Sequence, residues 1–166
     1  MLEEEWATLD EFPNYSISTY GRVLTRSSER IKVPTQNLQN VPHVLLMRDR
    51  RQYRRSLPLL VATTFIPVPH DHFDTPINLN GDRMDNNIEN LVWRPRWFAI
   101  KYNQQFRPGY IPAYTKPIEN AETHEWFADT LAAATKYGLL DTEIWLAILN
   151  RTYVFPTNQI YQMIDW

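Results

Sequence analysis

The chain has 166 residues, enough for one ordinary domain or two to three small modules, and 43% of them are hydrophobic against 22% charged. That balance belongs to a globular protein and not to a disordered one. There is no Cys, which excludes disulfides and thiolate zinc sites. A net charge of −2 counts against strong non-specific nucleic-acid binding, which depends on an excess of Lys and Arg.

The average conceals blocks. Residues 1–20 carry five acids and no base, residues 21–60 carry nine bases against two acids, and residues 91–116 carry five bases and no acid. Residues 117–166 return to seven acids against two bases. Contact with a phosphate backbone is therefore expected from the two basic blocks in the middle. No apolar run approaches the roughly 18 residues of a membrane span. The acidic start MLEEEW predicts no secretory leader, so a cytoplasmic protein without a membrane partner is expected.

Taken in chain order, residues 6–33 predict short strands, WATL, YSIS and GRVLT, separated by the turn formers Phe12-Pro13-Asn14 and Tyr20-Gly21. A second hairpin is expected over 43–66: HVLLM as a strand, RDRRQ as a polar turn, then YRRSLPLLVATTFI, whose latter half Pro58 turns towards helix. Residues 67–76 predict a loop, and Asn78 to Asn90 have the Asn, Asp and Gly content of a tight surface loop. A short helix over 96–106 leads into a Pro- and Gly-rich linker at 107–117.

ADTLAAATKYG predicts a helix stopped by Gly138, and LDTEIWLAILN a second one with Asp141 as its N-cap, before TYVF as a closing strand. Leu140, Ile144 and Ile148 form the inward stripe of that second helix. The opposite face, Thr142, Glu143, Leu146, Leu149 and Asn150, has an acid, two leucines and no cation. Leu146 and Leu149 accordingly suit a protein partner better than a phosphate backbone.

The basic blocks supply the candidate nucleic-acid contacts. Arg48, Arg50, Arg51, Arg54 and Arg55 gather around one predicted hairpin, with Tyr53 among them; Arg94, Arg96, Lys101 and Arg107 form a second group. A solvated hairpin tip accounts for the first group equally well.

Three segments carry a resemblance to a known family. Trp6, Tyr15, Ser18, Gly21 and Val23 resemble the N-terminal module, of the NUMOD type, found in HNH homing endonucleases of phages and introns. LVATTFIPVP followed by NLNGDRMDNNIENLVW resembles the HNH core, chiefly through Gly81, Asn86, Asn87, Asn90, Leu91 and Trp93. The C-terminal helix pair is similar to the small DNA-binding repeats of the same enzymes. The resemblance implies an α+β fold: small antiparallel β modules leading into a ββα-metal core, then a helix-turn-helix module. It divides the chain into an N-terminal module at 1–40, an HNH-like core at 41–106, a linker at 107–117 and a C-terminal module at 118–166.

The same resemblance implies chemistry that this sequence does not support. The family needs a divalent metal to clamp the scissile phosphate and a His to take a proton from water. Where the family has an Asp or Asn ligand followed by that His, this chain has Asn78-Leu79, and Leu79 cannot be a base. Ala99 stands where a further ligand is expected, with Asn103 one turn later. Asn90 and its neighbours are read as loop-tying residues.

His70, His72 and Asp74, together with Asp71, are the remaining candidates for a metal site, although charged residues between prolines more often make a solvated loop. The expectation is a non-cleaving relative of these enzymes, without a cofactor, that binds DNA weakly or a protein partner in a phage or mobile-element setting. The alternatives are an active endonuclease using substitute ligands and Mg, or a structural protein of a larger assembly.

Overall fold

In a computed structural model, residues 3–164 are described; the first two residues of the acidic MLEEEW start lie outside them. The chain divides into two compact units, Met1–Arg96 and Trp97–Trp166. The fold is mixed α and β, with small antiparallel sheets and four helices among the described residues.

The first unit opens with β1 (Trp6–Leu9), β2 (Phe12–Ser18), β3 (Val23–Thr25) and β4 (Arg30–Ile31), paired in that order into one sheet. WATL, YSIS and VLT form strands as expected, but Phe12-Pro13-Asn14, expected as a turn, is the first part of β2, the turn falls at Asp10-Glu11, and β4 was not anticipated; Phe12, Tyr15 and Ile17 of β2 are buried. The turn between β2 and β3 is built by Ser18, whose Oγ accepts from the Arg22 amide at 3.1 Å and the Tyr20 amide at 3.3 Å. Gly21 completes it with φ +78°.

Next come β5 (Thr35–Gln36), β6 (Pro42–Arg48) and β7 (Arg51–Ser56), forming a second sheet in the order β5-β6-β7. The β6–β7 turn is tighter than the RDRRQ segment suggested. Only Asp49 and Arg50 lie outside the strands, both with positive φ, as a two-residue turn of mirror-image type requires. Helix α1 (Leu57–Phe65) follows at once, with Pro58 in its first turn, where its missing N–H costs no hydrogen bond.

Strand β8 (Thr75–Asn78) begins before Pro76, which the sequence placed in a loop; Pro76 pairs opposite Trp93 at the edge of a two-strand sheet with β9 (Leu91–Arg94). A 3-10 turn at Ile88–Asn90 precedes β9. Strand, strand and then α2 (Arg96–Gln104) follow in the chain order expected of an HNH core. One core joins the pieces of this unit: Phe12, Tyr15, Ile17 and Val23 pack with Val44, Leu46, Leu57, Val61 and Leu91.

The second unit takes in α2 from Trp97 on, followed by β10 (Ile118–Asn120), β11 (Trp126–Phe127), α3 (Thr130–Tyr137), α4 (Asp141–Asn150) and β12 (Tyr161–Met163), with sheet order β11-β10-β12. Gly138 caps α3 as expected. Two expectations are corrected here. Asp141 is not the N-cap of α4: Leu140 is, and Asp141 is the fully buried first helical residue, its Oδ2 accepting from the Tyr110 hydroxyl and the Ala113 amide at 2.8 Å each. The closing strand is Tyr161–Met163 and not TYVF, where only Val154 makes a single bridge, to Gln159. Leu139, Ile144 and Ile148 fill this unit's core. Among the described residues no helix is long and apolar enough to cross a membrane.

Gly21 tests the way the first unit is assembled. A Cβ there would stand 2.9 Å from the Asn86 carbonyl oxygen, and the positive φ penalises any L side chain besides. Gly21→Ala should cost about 1–3 kcal/mol in chemical denaturation; an unchanged midpoint would show that the turn does not press on the loop at Asn86.

Candidate nucleic-acid interface

The β6–β7 hairpin sorts the five arginines by strand parity. Val44, Leu46 and Arg48 on β6 stand opposite Arg55, Tyr53 and Arg51 on β7, so this face is the one turned to the core. Arg48 and Arg55 therefore meet the N-terminal sheet. The Arg55 guanidinium lies 5.2 Å from the Phe12 ring and 5.3 Å from the Tyr53 ring, and donates to the Glu11 carboxylate at 2.6 Å. Arg48 sits 4.8 Å from the Tyr53 ring and 3.3 Å from the same carboxylate. The hydrogen bond from Arg55 holds the Glu11 carboxyl below the usual carboxylate range. These two cations are committed within the fold, against the expectation that all five face a partner.

Arg50, Arg51 and Arg54 remain. Among the described residues, none of the three has a carboxylate partner. Arg50 is at the turn, Arg51 opens β7, and Arg54 projects from the opposite face beside exposed Leu45 and Met47. In the second basic group, Arg94 is a correction. It is only 8% exposed, and its Nη1 donates to the Trp93 carbonyl at 2.8 Å. Arg96, Lys101 and Arg107 are exposed, and the Lys101 ammonium lies 5.5 Å from the Trp97 ring.

The Asn78–Asn90 loop is a closed hydrogen-bond network. The Asn78 amide donates to the Asp85 carbonyl at 2.7 Å and to Asn86 Oδ1 at 3.2 Å. Asn90 accepts from the Asn80 amide at 3.0 Å and donates to the Asp85 carbonyl at 2.8 Å, while Asn87 caps the 3-10 turn at Glu89. Gly81 adopts the expected positive φ. The Leu79 amide donates to the Asn90 carbonyl at 2.8 Å, which ties the loop entry to its exit.

No His lies between Phe73 and Thr123, so the absence of an imidazole base in this loop does not depend on which of Asn78 or Leu79 is aligned with it. Ala99 is buried in α2. His70 and His72 sit on the exposed loop before β8, where the His70 ring meets Phe73 edge-on at 5.3 Å and Asp74 accepts from the Thr75 hydroxyl at 2.9 Å. Among the described residues, no three His, Asp or Glu side chains converge. On α4, Leu146 and Leu149 are exposed beside Thr142 and Asn150.

The sequence reading missed Glu11 altogether. The alternation Val44, Leu46, Arg48 carried the signal, since it puts Arg48 on the buried parity, but the partner comes from the other sheet.

Comparison with known proteins shows what the chain is similar to. Residues 4–46 match the NUMOD4 motif. An uncharacterised HNH endonuclease of Acanthamoeba polyphaga mimivirus is 28% identical over 85 residues, 51% of this chain and 21% of the viral protein, so the chain spans about a fifth of that relative's length. The solved structure of the HNH homing endonuclease I-HmuI, described as binding and cleaving DNA, superposes with a TM-score of 0.54 over 98% of this chain and 99% of that one, at 14% identity. The chain thus shares the fold of an HNH homing endonuclease, and the matched motif and viral relative are similar to the same group of proteins.

The Glu11 cluster yields a pH prediction. A carboxyl whose folded pKa is depressed stabilises the fold above its unfolded pKa, and that contribution is lost as pH falls through the folded value. Glu11→Gln should therefore be less stable than wild type at pH 7, with the gap closing below about pH 4. A gap independent of pH would assign the effect to packing instead.

Proposed function

We propose that this protein holds duplex DNA on an HNH homing-endonuclease scaffold and does not cut it, in the setting of a phage or mobile element. The observation that carries the binding half is the tip of the β6–β7 hairpin. Three arginines of this hairpin have no carboxylate partner among the described residues: Arg50 at the turn, with φ 59°, Arg51 at the start of β7, and Arg54 on the face that also carries Leu45 and Met47. The left-handed position of Arg50 costs an L residue roughly 1–2 kcal/mol and costs glycine almost nothing. The non-cleaving half is supported by the Asn78–Asn90 loop, which offers no imidazole and turns its amides to its own backbone.

Phosphate contacts of this kind position a protein on DNA without reading sequence. They release counterions, and log affinity falls with log salt by about 0.9 per neutralised phosphate. Replacing Arg50, Arg51 and Arg54 together by Ala should flatten the salt slope of duplex binding by about 2–3. Replacing Glu143 and Asn150 on α4 should leave it nearly unchanged. Arg50→Gly alone should raise stability by about 1 kcal/mol while weakening binding. An arginine-free hairpin with an unchanged slope would reduce the tip to a solvated turn.

A further inference from the structure

We infer that Arg83, on the Asn-rich loop, is a phosphate-binding residue that holds one phosphodiester of the duplex through a free edge of its guanidinium. The inference rests on the nucleic-acid reading above but uses a different residue on a different loop. Arg83 is the one Lys or Arg among residues 61–90, which carry five acids. Sequence alone therefore predicts a cation neutralised by its neighbours. The structure shows otherwise. Asp82 turns a carboxylate oxygen to the Met84 amide at 2.9 Å, and Asp85 accepts from the Asn80 side chain at 2.8 Å. Among the described residues, no carboxylate is paired with the Arg83 guanidinium.

What holds Arg83 is the loop itself and one distant carbonyl. Its Nη1 donates to the Gln39 carbonyl at 2.9 Å, across 44 residues of chain. Its own carbonyl accepts from the Asn86 side-chain amide at 3.0 Å, so the residue is fixed at its base as well. The turn presenting the Gln39 carbonyl is closed in its turn, since Asn37 Oδ1 accepts the Gln39 and Val41 amides at 3.0 and 2.9 Å. A guanidinium carries five N–H donors, and Nε with Nη2 forms a planar edge that matches two oxygens of one phosphate. In Arg83 neither of those nitrogens has a protein partner. Among the described residues the buried side-chain atom without a partner is Asp141 Oδ1 and neither of these nitrogens, so the free edge reaches solvent.

The side chain is half-buried, burial lowers its pKa, and no neighbouring carboxylate offsets that effect. Such a cation gains more from an arriving anion than a fully solvated one, because part of its water is already gone and the field is less screened. Held at both ends, it also loses little rotamer freedom on binding. The flanking acids disfavour diffuse attraction of a polyanion. The contact is therefore one directed, two-pronged pair that positions the duplex without reading its sequence.

The test uses the full chain and a mixed-sequence duplex. In the isotope-labelled protein, the Arg83 Nε–Hε resonance is followed by NMR and should shift as duplex is added. It should move less with inorganic phosphate and stay still with an oligoglutamate peptide. Salt dependence gives a second readout: Arg83→Gln should flatten log affinity against log salt by about 0.9, the share of one phosphate. The same decrement should appear in the chain already lacking Arg50, Arg51 and Arg54. Arg83→Lys keeps the charge and loses the fork, so it should recover the slope while binding more weakly than wild type.

An Nε–Hε resonance unmoved by a duplex that binds the wild-type chain overturns the inference and leaves the hairpin reading standing. That readout needs no variant, so it decides even where Arg83→Gln does not fold. An unchanged slope in a folded Arg83→Gln overturns it too. So does an equal response to inorganic phosphate or to the peptide, which would make the edge a general anion site. A wild-type chain that does not bind the duplex overturns the proposed function with it.

Discussion

The first unit depends on one contact, the seating of the β2–β3 turn against the Asn-rich loop. The Ile88 amide donates to the Thr19 carbonyl at 2.9 Å, and Gly21 approaches Asn86 so closely that a Cβ has no room. Ser18 is fully buried and spends its hydroxyl on the same turn. Tyr15, three residues before it, accepts the Met47 amide at its phenol oxygen at 3.1 Å, so the same strand also fastens the β6–β7 hairpin. The spacing Tyr15, Ser18, Gly21, Val23 is the footprint of this arrangement. One residue fixes the hairpin, one builds the turn, one permits the close approach and one enters the core. The NUMOD4 match over residues 4–46 is therefore not an appendage; its apolar residues share a core with Leu57, Val61 and Leu91.

That assembly explains what the loop retains. Asn78, Asn86, Asn87 and Asn90 hold a tight turn whose backbone groups would otherwise lack partners, and buried unpaired amides are costly. The geometry of this loop therefore follows from folding requirements. Gly81 and the Asn residues serve the turn whether or not a metal or an imidazole stands beside them. The basic hairpin is set by different residues and keeps its own charge.

Much of this was legible in the sequence. Alternation gave β1, β2, β3 and β6, Pro58 marked the start of α1, and Gly138 marked the end of α3, because these signals are local. The Asn-rich loop was legible for the same reason. What failed involved partners distant in the chain. Arg48 and Arg55 were read as surface cations, since nothing near them in sequence announces Glu11 and Phe12. Arg94 was read as exposed because a buried arginine satisfied by a backbone carbonyl looks the same in sequence as a free one. Asp141 was read as an N-cap from its place before a helix, whereas its carboxylate is claimed by Tyr110 and Ala113, about thirty residues earlier.

The account stands or falls on whether a loop without imidazole can still cut. Supercoiled plasmid incubated with the purified chain in magnesium or manganese gives the most direct answer, read as conversion to open circle on a gel. The account predicts no conversion above the metal-only control, at protein concentrations where the duplex is bound. Nicking that disappears in His72→Ala would contradict it, and would move the active site to the loop carrying His70, His72 and Asp74.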